Sequence, residues 1–175
     1  FAFARKPGAD TMIGYKEDDT QILQNTKVFH VGSLSLTDEP ARSTTFQAEK
    51  NTKNAGAVIS YDPNYRAPLW NNEKTAIERM RSMLPFADMI KLSDEETALL
   101  TPYENPDEAA NYLLDHGIKI VAVTLGKEGV LICNRKDHQK VSGFSSQVVD
   151  TTGAGDSFWG GFMSQFVKSK LNPED

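Results

Sequence analysis

The chain has 175 residues, 39% of them hydrophobic and 25% charged, with a net charge of −5. This balance fits a globular core and excludes a disordered chain, a collagen-like repeat and a membrane channel. An acidic surface gives nucleic-acid phosphates nothing to bind, and the single cysteine, Cys133, excludes an intrachain disulfide and a thiol-built zinc site. A lone thiol fits a reducing compartment, so a cytoplasmic protein is expected.

In chain order, Phe1 to Arg5 reads as a strand closed by a Pro7-Gly8 turn. A short helix follows over Asp19 to Gln24, and Val28 to Val31 is a β-rich run. Thr37 to Asn54 reads as a helix with Pro40 in its first turn and Gly56 just past its end. Ala57 to Tyr61 is a strand broken by Asp62-Pro63-Asn64. Asn72 to Leu84 is a helix with Ile77, Met80 and Leu84 at helical spacing. Asp88 to Leu92 is the next strand. Asn105-Pro106 opens a helix that Gly117 closes, and Lys119 to Leu125 is an apolar strand. Val130 to Asn134 and Gln139 to Phe144 read as a hairpin or meander around Arg135 to His138, and a last helix runs from Ser157 to about Val167. Apolar strands alternating with amphipathic helices predict an α/β fold with a mainly parallel sheet and helices on both faces. In such sheets ligands bind beyond the carboxyl ends of the strands.

The segment Asp150-Thr151-Thr152-Gly153-Ala154-Gly155-Asp156 lies at one of those ends. Its glycines let the backbone turn sharply and approach a ligand. The helix after it opens with unpaired amides and the positive end of its dipole, which suits a phosphate. A carboxylate at a phosphate site is repulsive, and general-base chemistry gives Asp156 a reason to be there. The alternative is a glycine turn with Asp156 as a helix cap. Thr124-Leu125-Gly126-Lys127-Glu128-Gly129 is a second glycine turn between strands. Ser93 with Glu96 three residues on is a capping box. Asn64 and Arg66 sit at a strand end, where Arg66 offers a planar fork for phosphate or carboxylate. Phe158, Trp159, Phe162, Met163 and Phe166 read as core, with Gly160 and Gly161 letting the helix approach the sheet. His30, His116 and His138 have no ligand spacing and read as structural or surface residues.

The stretch DTTGAGDSFWGG at 150–161 resembles the signature of the ribokinase-like (PfkB) carbohydrate kinases. FAFARKPGAD at 1–10, DPNYR at 62–66, KLSDEE at 91–96 and VTLGKEG at 123–129 extend the likeness over essentially the whole chain, most of all to bacterial fructokinases and next to 2-keto-3-deoxygluconate kinases. The resemblance implies a three-layer α/β/α sandwich, incomplete at both ends: the N-terminal sugar-binding and lid region and the C-terminal adenine-side segment fall outside residues 1–175. It implies ATP-dependent phosphorylation of a sugar hydroxyl, D-fructose first, with other sugar or nucleoside kinases as alternatives. A non-catalytic scaffold of the same fold is the alternative of another class. By the resemblance, Asp156 is the catalytic base, and Gly153, Ala154, Gly155 and the Asp156 amide form the anion hole. Thr124, Gly126 and Gly129 contact ATP. Arg5, Asn64 and Arg66 serve the sugar and phosphate cleft. Glu96 supports Mg²⁺ through water, although the family motif has Asn where this chain has Ser93. Asp150 and Thr152 match ligands of an activating monovalent cation such as K⁺. The implied partners are a small-molecule sugar and ATP, with neither nucleic acid nor membrane, and a homodimer through the lid.

Overall fold

The computed structural model describes residues 8–16 and 19–174. The strand expected over Phe1 to Arg5, and Arg5 itself, lie outside the described residues. The chain divides into two compact units, 1–88 and 89–175.

The first unit contains α1 (Asp19–Gln24), β1 (Val28–Gly32), α2 (Ala41–Asn54), β2 (Val58–Asp62) and α3 (Glu73–Ser82). β1 and β2 are parallel, in register from Val28 with Val58 to Gly32 with Asp62. The crossover helix α2 buries Ala41, Ala48, Glu49 and Thr52. It ends where Thr52 folds its hydroxyl back onto the Ala48 carbonyl at 2.9 Å and Gly56 takes a φ of 88°. Helix α2 starts later than the sequence suggests. Arg79 donates to the carbonyls of Leu36 and Thr37, oxygens that a helix from Thr37 would turn to its own amides, and Ser33–Leu36 forms a 3₁₀ turn instead. Pro40, after a cis Glu39–Pro40 bond, becomes the N-cap of α2 rather than part of its first turn. Helix α3 begins at Asn72, whose side chain accepts from the Thr75 amide at 2.8 Å. It buries Ala76 and Met80. The core of this unit centres on Ile59, Tyr61, Ala76 and Met80, all fully buried.

The second unit contains β3 (Met89–Ser93), α4 (Thr97–Leu100), α5 (Pro106–Asp115), β4 (Ile120–Thr124), β5 (Val130–Cys133), β6 (His138–Val141) and α6 (Ala154–Lys168). β3 and β4 are parallel, from Met89 with Ile120 to Ser93 with Thr124. β5 and β6 then run antiparallel, as a hairpin must. Asn105 caps α5 by accepting from the Asp107 and Glu108 amides at 2.9 and 3.2 Å. α5 buries Ala109, Ala110, Leu113 and Leu114. α6 begins three residues earlier than expected and buries Trp159 and Phe166, with Trp159 and Phe162 stacked at 4.9 Å. Phe158, Phe162 and Met163 are only half-buried. Gly160 and Gly161 correct the sequence reading. Both are exposed and a Cβ at either would meet nothing within 4 Å, so close approach to the sheet does not explain them. Residues 142–152 are exposed throughout and connect β6 to α6 without regular structure.

Two of the histidines hold hydrogen-bond contacts within the fold. His30 Nδ1 lies 3.0 Å from the Ser60 hydroxyl, and His116 Nδ1 lies 2.7 Å from the Tyr112 carbonyl oxygen while its ring stacks on Tyr112. Cys133 is buried, and burial, followed by the charges of Asp107 and Asp137, pushes its thiol up to about 11. No helix among the described residues is long and apolar enough to cross a membrane.

Candidate active site

The glycine turn enters α6 through Gly153, whose φ of 74° and ψ of 6° place it in the left-handed region. Glycine takes that conformation without the clash a Cβ would bring. The Ala154 amide donates to the Thr151 carbonyl at 3.1 Å, and the first helical bond runs from the Ser157 amide to the Gly153 carbonyl at 2.8 Å. Of the amides the sequence assigns to an anion hole, Ala154's is therefore engaged within the turn. Helix geometry leaves those of Gly155 and Asp156 without a partner four residues back. Asp156 is exposed in the first turn of α6, one residue beyond Gly155. The carboxylate adds a proton acceptor beside amides that favour negative charge.

Before the turn, Asp150 Oδ1 accepts both from the Thr152 hydroxyl at 2.7 Å and from the Thr152 amide at 2.8 Å. The Thr152 hydroxyl first, then the backbone amides, hold the Asp150 carboxyl below the usual carboxylate range. The two residues matched to a monovalent-cation site are thus bonded to each other, and this pair keeps a carboxylate ionised beside the turn.

The other residues of this unit gather at the carboxyl ends of β3 and β4. Ser93 and Thr124 are register partners there. Glu96 is buried, and its Oε2 accepts from the Ser93 amide at 2.9 Å and the Ser93 hydroxyl at 3.0 Å. Ser93 therefore supplies a side-chain contact to Glu96 where the family motif has Asn. Among the described residues no three His, Cys, Asp or Glu side chains converge on one point. A single oriented carboxylate fits an Mg²⁺ ion held mainly by phosphates and water.

Thr124 is half-buried, with its hydroxyl 3.4 Å from the Leu92 carbonyl. The loop after it closes on itself: the Leu125 amide donates to the Gly129 carbonyl at 2.8 Å, and the Gly129 amide to Gly126 at 3.2 Å. Gly126 has a φ of 55° and Gly129 one of 106°. A Cβ on Gly129 would overlap the Val141 carbonyl oxygen, and one on Gly143 would overlap the Lys127 carbonyl oxygen. Gly129 thus has a structural reason of its own, in the meeting of this loop with the end of β6.

Asn64 and Arg66 belong to the first unit, just past the carboxyl end of β2. Asn64 is half-buried with a φ of 45°, a conformation asparagine tolerates better than most residues. Arg66 is exposed, with Nη1 3.0 Å from the Tyr65 carbonyl.

One residue of the KLSDEE stretch has no role assigned by the motifs. Lys91 lies in the middle of β3 and is only 6% exposed. A Cβ on Gly155 would stand 3.1 Å from its Nζ. The signal was present in the sequence as a lysine inside the apolar run Met89-Ile90-Lys91-Leu92.

Fructokinase-2 of Solanum lycopersicum is 41% identical over 176 residues, covering 100% of this chain and 54% of that protein. The fructokinase of Vibrio cholerae O395, solved with fructose, ADP and calcium ion bound, matches with a TM-score of 0.75 and 35% identity over 81% of this chain and 46% of its own. The aminoimidazole riboside kinase of Salmonella enterica, complexed with aminoimidazole riboside and an ATP analog, matches with a TM-score of 0.70 and 31% identity over 78% of this chain and 46% of its own. The chain therefore spans about half the length of these relatives. The likeness establishes the ribokinase-like α/β class with its mainly parallel sheet. A model of the pfkB family of carbohydrate kinases matches residues 5–173, and the chain belongs to that family.

Proposed function

We propose that the full-length protein carrying this chain is an ATP-dependent fructokinase that converts D-fructose to fructose 6-phosphate, with the sugar and ATP as its small-molecule partners and the cytoplasm as its place of work. The observation that carries the reading is the Asp156 carboxylate directly after the Gly153–Gly155 turn, at the amide-rich start of α6.

In this reading Asp156 takes the proton from the sugar's primary hydroxyl as that oxygen attacks the γ-phosphorus of ATP. The new O–P bond forms in line with the bond that breaks to the β-γ bridging oxygen. ADP leaves, and the proton remains on Asp156. The Gly155 and Asp156 amides donate to the oxygens of the transferring group, whose charge is spread in the transition state. Mg²⁺, when bound with ATP, neutralises phosphate charge, and Glu96 holds its water shell. Asp150 and Thr152 serve a monovalent cation, where the ionised Asp150 is the stronger ligand. Thr124, Gly126 and Gly129 approach the nucleotide, and Arg5, Asn64 and Arg66 serve the sugar and its phosphate acceptor position.

The test is ADP release by the full-length protein, coupled to a readout, across fructose, ribose, 2-keto-3-deoxygluconate and nucleosides. Fructose is expected to give the highest kcat/KM. Asp156→Asn is expected to lower kcat by about 10²–10⁴-fold, the range of a lost general base. Turnover that survives this substitution removes the base from Asp156. The absence of any sugar-dependent turnover supports a non-catalytic scaffold.

A further inference from the structure

Gly143 lies two residues past β6 and is exposed. Its φ is not in the left-handed region, so backbone conformation gives no reason for a glycine there. Contact does. A Cβ on Gly143 would overlap the Lys127 carbonyl oxygen and stand 3.2 Å from the carbon of that carbonyl and 3.3 Å from the Gly129 nitrogen. The clash is mutual, because a Cβ on Gly129 would overlap the Val141 carbonyl oxygen and stand 2.6 Å from the Gly143 nitrogen. The end of a flexible side chain could swing aside, but these are backbone atoms. An added methyl group would make one of the two segments shift.

The loop over 125–129 leans on this meeting. Three bonds hold it from inside: the Leu125 amide donates to the Gly129 carbonyl at 2.8 Å, the Glu128 amide to Leu125 at 3.1 Å and the Gly129 amide to Gly126 at 3.2 Å. The two carbonyls that these bonds do not use, those of Lys127 and Glu128, both meet Gly143. Glu128 accepts from the Gly143 amide at 3.3 Å, and Lys127 supplies the oxygen that a Cβ would strike. Lys140, in β6, places its Nζ 2.9 Å from Glu128 Oε2. That pair is exposed and contributes little energy, yet it ties the same two segments. Two glycines make the loop mobile by composition, so its shape is set from outside. We propose that Gly143 is a positioning residue for nucleotide binding: the end of β6 braces the 126–129 loop in the shape that receives ATP. The inference rests on the reading of Thr124, Gly126 and Gly129 as nucleotide contacts. It adds a residue between the stretches VTLGKEG and DTTGAGDSFWGG, in neither of which it lies.

The full-length protein tests it with Gly143→Ala, and with Gly14→Ala as a control whose Cβ would meet nothing within 4 Å. Gly143→Ala is expected to raise the KM for ATP about tenfold, less than the ~10²-fold that a misplacement of about 1 Å can cost. Calorimetric titration should show ADP binding weakened by the same factor. The KM for fructose and the kcat at saturating ATP should stay within about threefold, because the brace acts on the nucleotide loop. A general loosening of the fold would move all of these together. Gly14→Ala should leave the KM for ATP as it is. Hydrogen exchange of the parent protein supplies a readout that needs no variant, and it decides if Gly143→Ala does not fold. ADP is expected to slow exchange over 124–130 and over 142–146 together, while the hairpin tip at 134–137 exchanges as before.

A KM for ATP within about twofold of the parent in folded Gly143→Ala overturns the inference. So does an equal rise in Gly14→Ala, or a parallel loss of fructose affinity and kcat. Protection by ADP over 124–130 with none over 142–146 also overturns it, and leaves the nucleotide reading of the loop standing. If ADP protects neither stretch, that reading and the role of Gly143 fail together.

Discussion

Glu49 is a carboxylate where water barely reaches: the residue is 2% exposed and its Oε1 has no hydrogen-bond partner among the described residues. Burial, the largest effect, raises its carboxyl above the ordinary 4.5, and the charge of Asp88 adds to the rise while Lys53 opposes it. A carboxyl raised on folding penalises the folded state only when ionised. The penalty is absent below the unfolded value, grows as pH rises through the window between the unfolded and folded values, and is constant above it. Glu49→Gln is therefore expected to raise Tm at pH 7 and to match the parent near pH 4, read from thermal melts at both pH values. A Tm gap independent of pH would contradict this. Nothing in the sequence around Glu49 foretold it, because the helical stripe of α2 marks a face and not the depth of each residue in it. Asp156 stands out in the sequence for the opposite reason: the glycines and the helix on which its proposed role depends are its immediate neighbours in the chain. Lys91 fell between the two cases, visible as a charge in an apolar strand but without its partner element.

The elements that end on local chemistry were the easiest to read. Asn72 and Asn105 cap α3 and α5 as their types suggest, and Gly56 and Gly117 close α2 and α5 with φ values of 88° and 102°. Asn105→Ala removes the acceptor for two amides and is expected to lower stability by about 1 kcal/mol, measured by chemical denaturation. Asn105→Ser, which restores a capping oxygen, should recover most of it. The elements set by distant contacts were not legible. The start of α2 depends on Arg79, which lies in another helix and takes the carbonyls of Leu36 and Thr37. The edge of β2 depends on Asp88, which exchanges two bonds with Ile59: its Oδ2 accepts from the Ile59 amide at 2.9 Å, and its own amide donates to the Ile59 carbonyl at 2.9 Å. The short helix α4 is only four residues long, too brief for a periodic pattern to reveal.

At the scale of the whole molecule, the alternation of strand and helix was sufficient for the α/β class, and the glycine signature for the family. The connection over 142–152 was not foreseen as a stretch exposed at every residue, with Phe144 at 95% exposure. Brief treatment of the 175-residue chain with chymotrypsin is expected to cut first after Phe144, identified by mass spectrometry. First cuts inside α2 or α5 would contradict the packing described for them. The meeting of Gly129 and Gly143 bears on a different property, the tolerance of the chain to insertions. Each glycine leaves room for a carbonyl from the other's strand or loop. They stay opposite each other only while the hairpin between them keeps its count. A residue gained within β5 or β6 would slide the ladder by one place and carry Gly143 away from Lys127. Only the tip, Asn134 to Asp137, lies outside that ladder. Natural length variation in this hairpin should therefore collect at the tip, and the spatial meeting of the 126–129 loop with the residues just after β6 should be inherited unchanged.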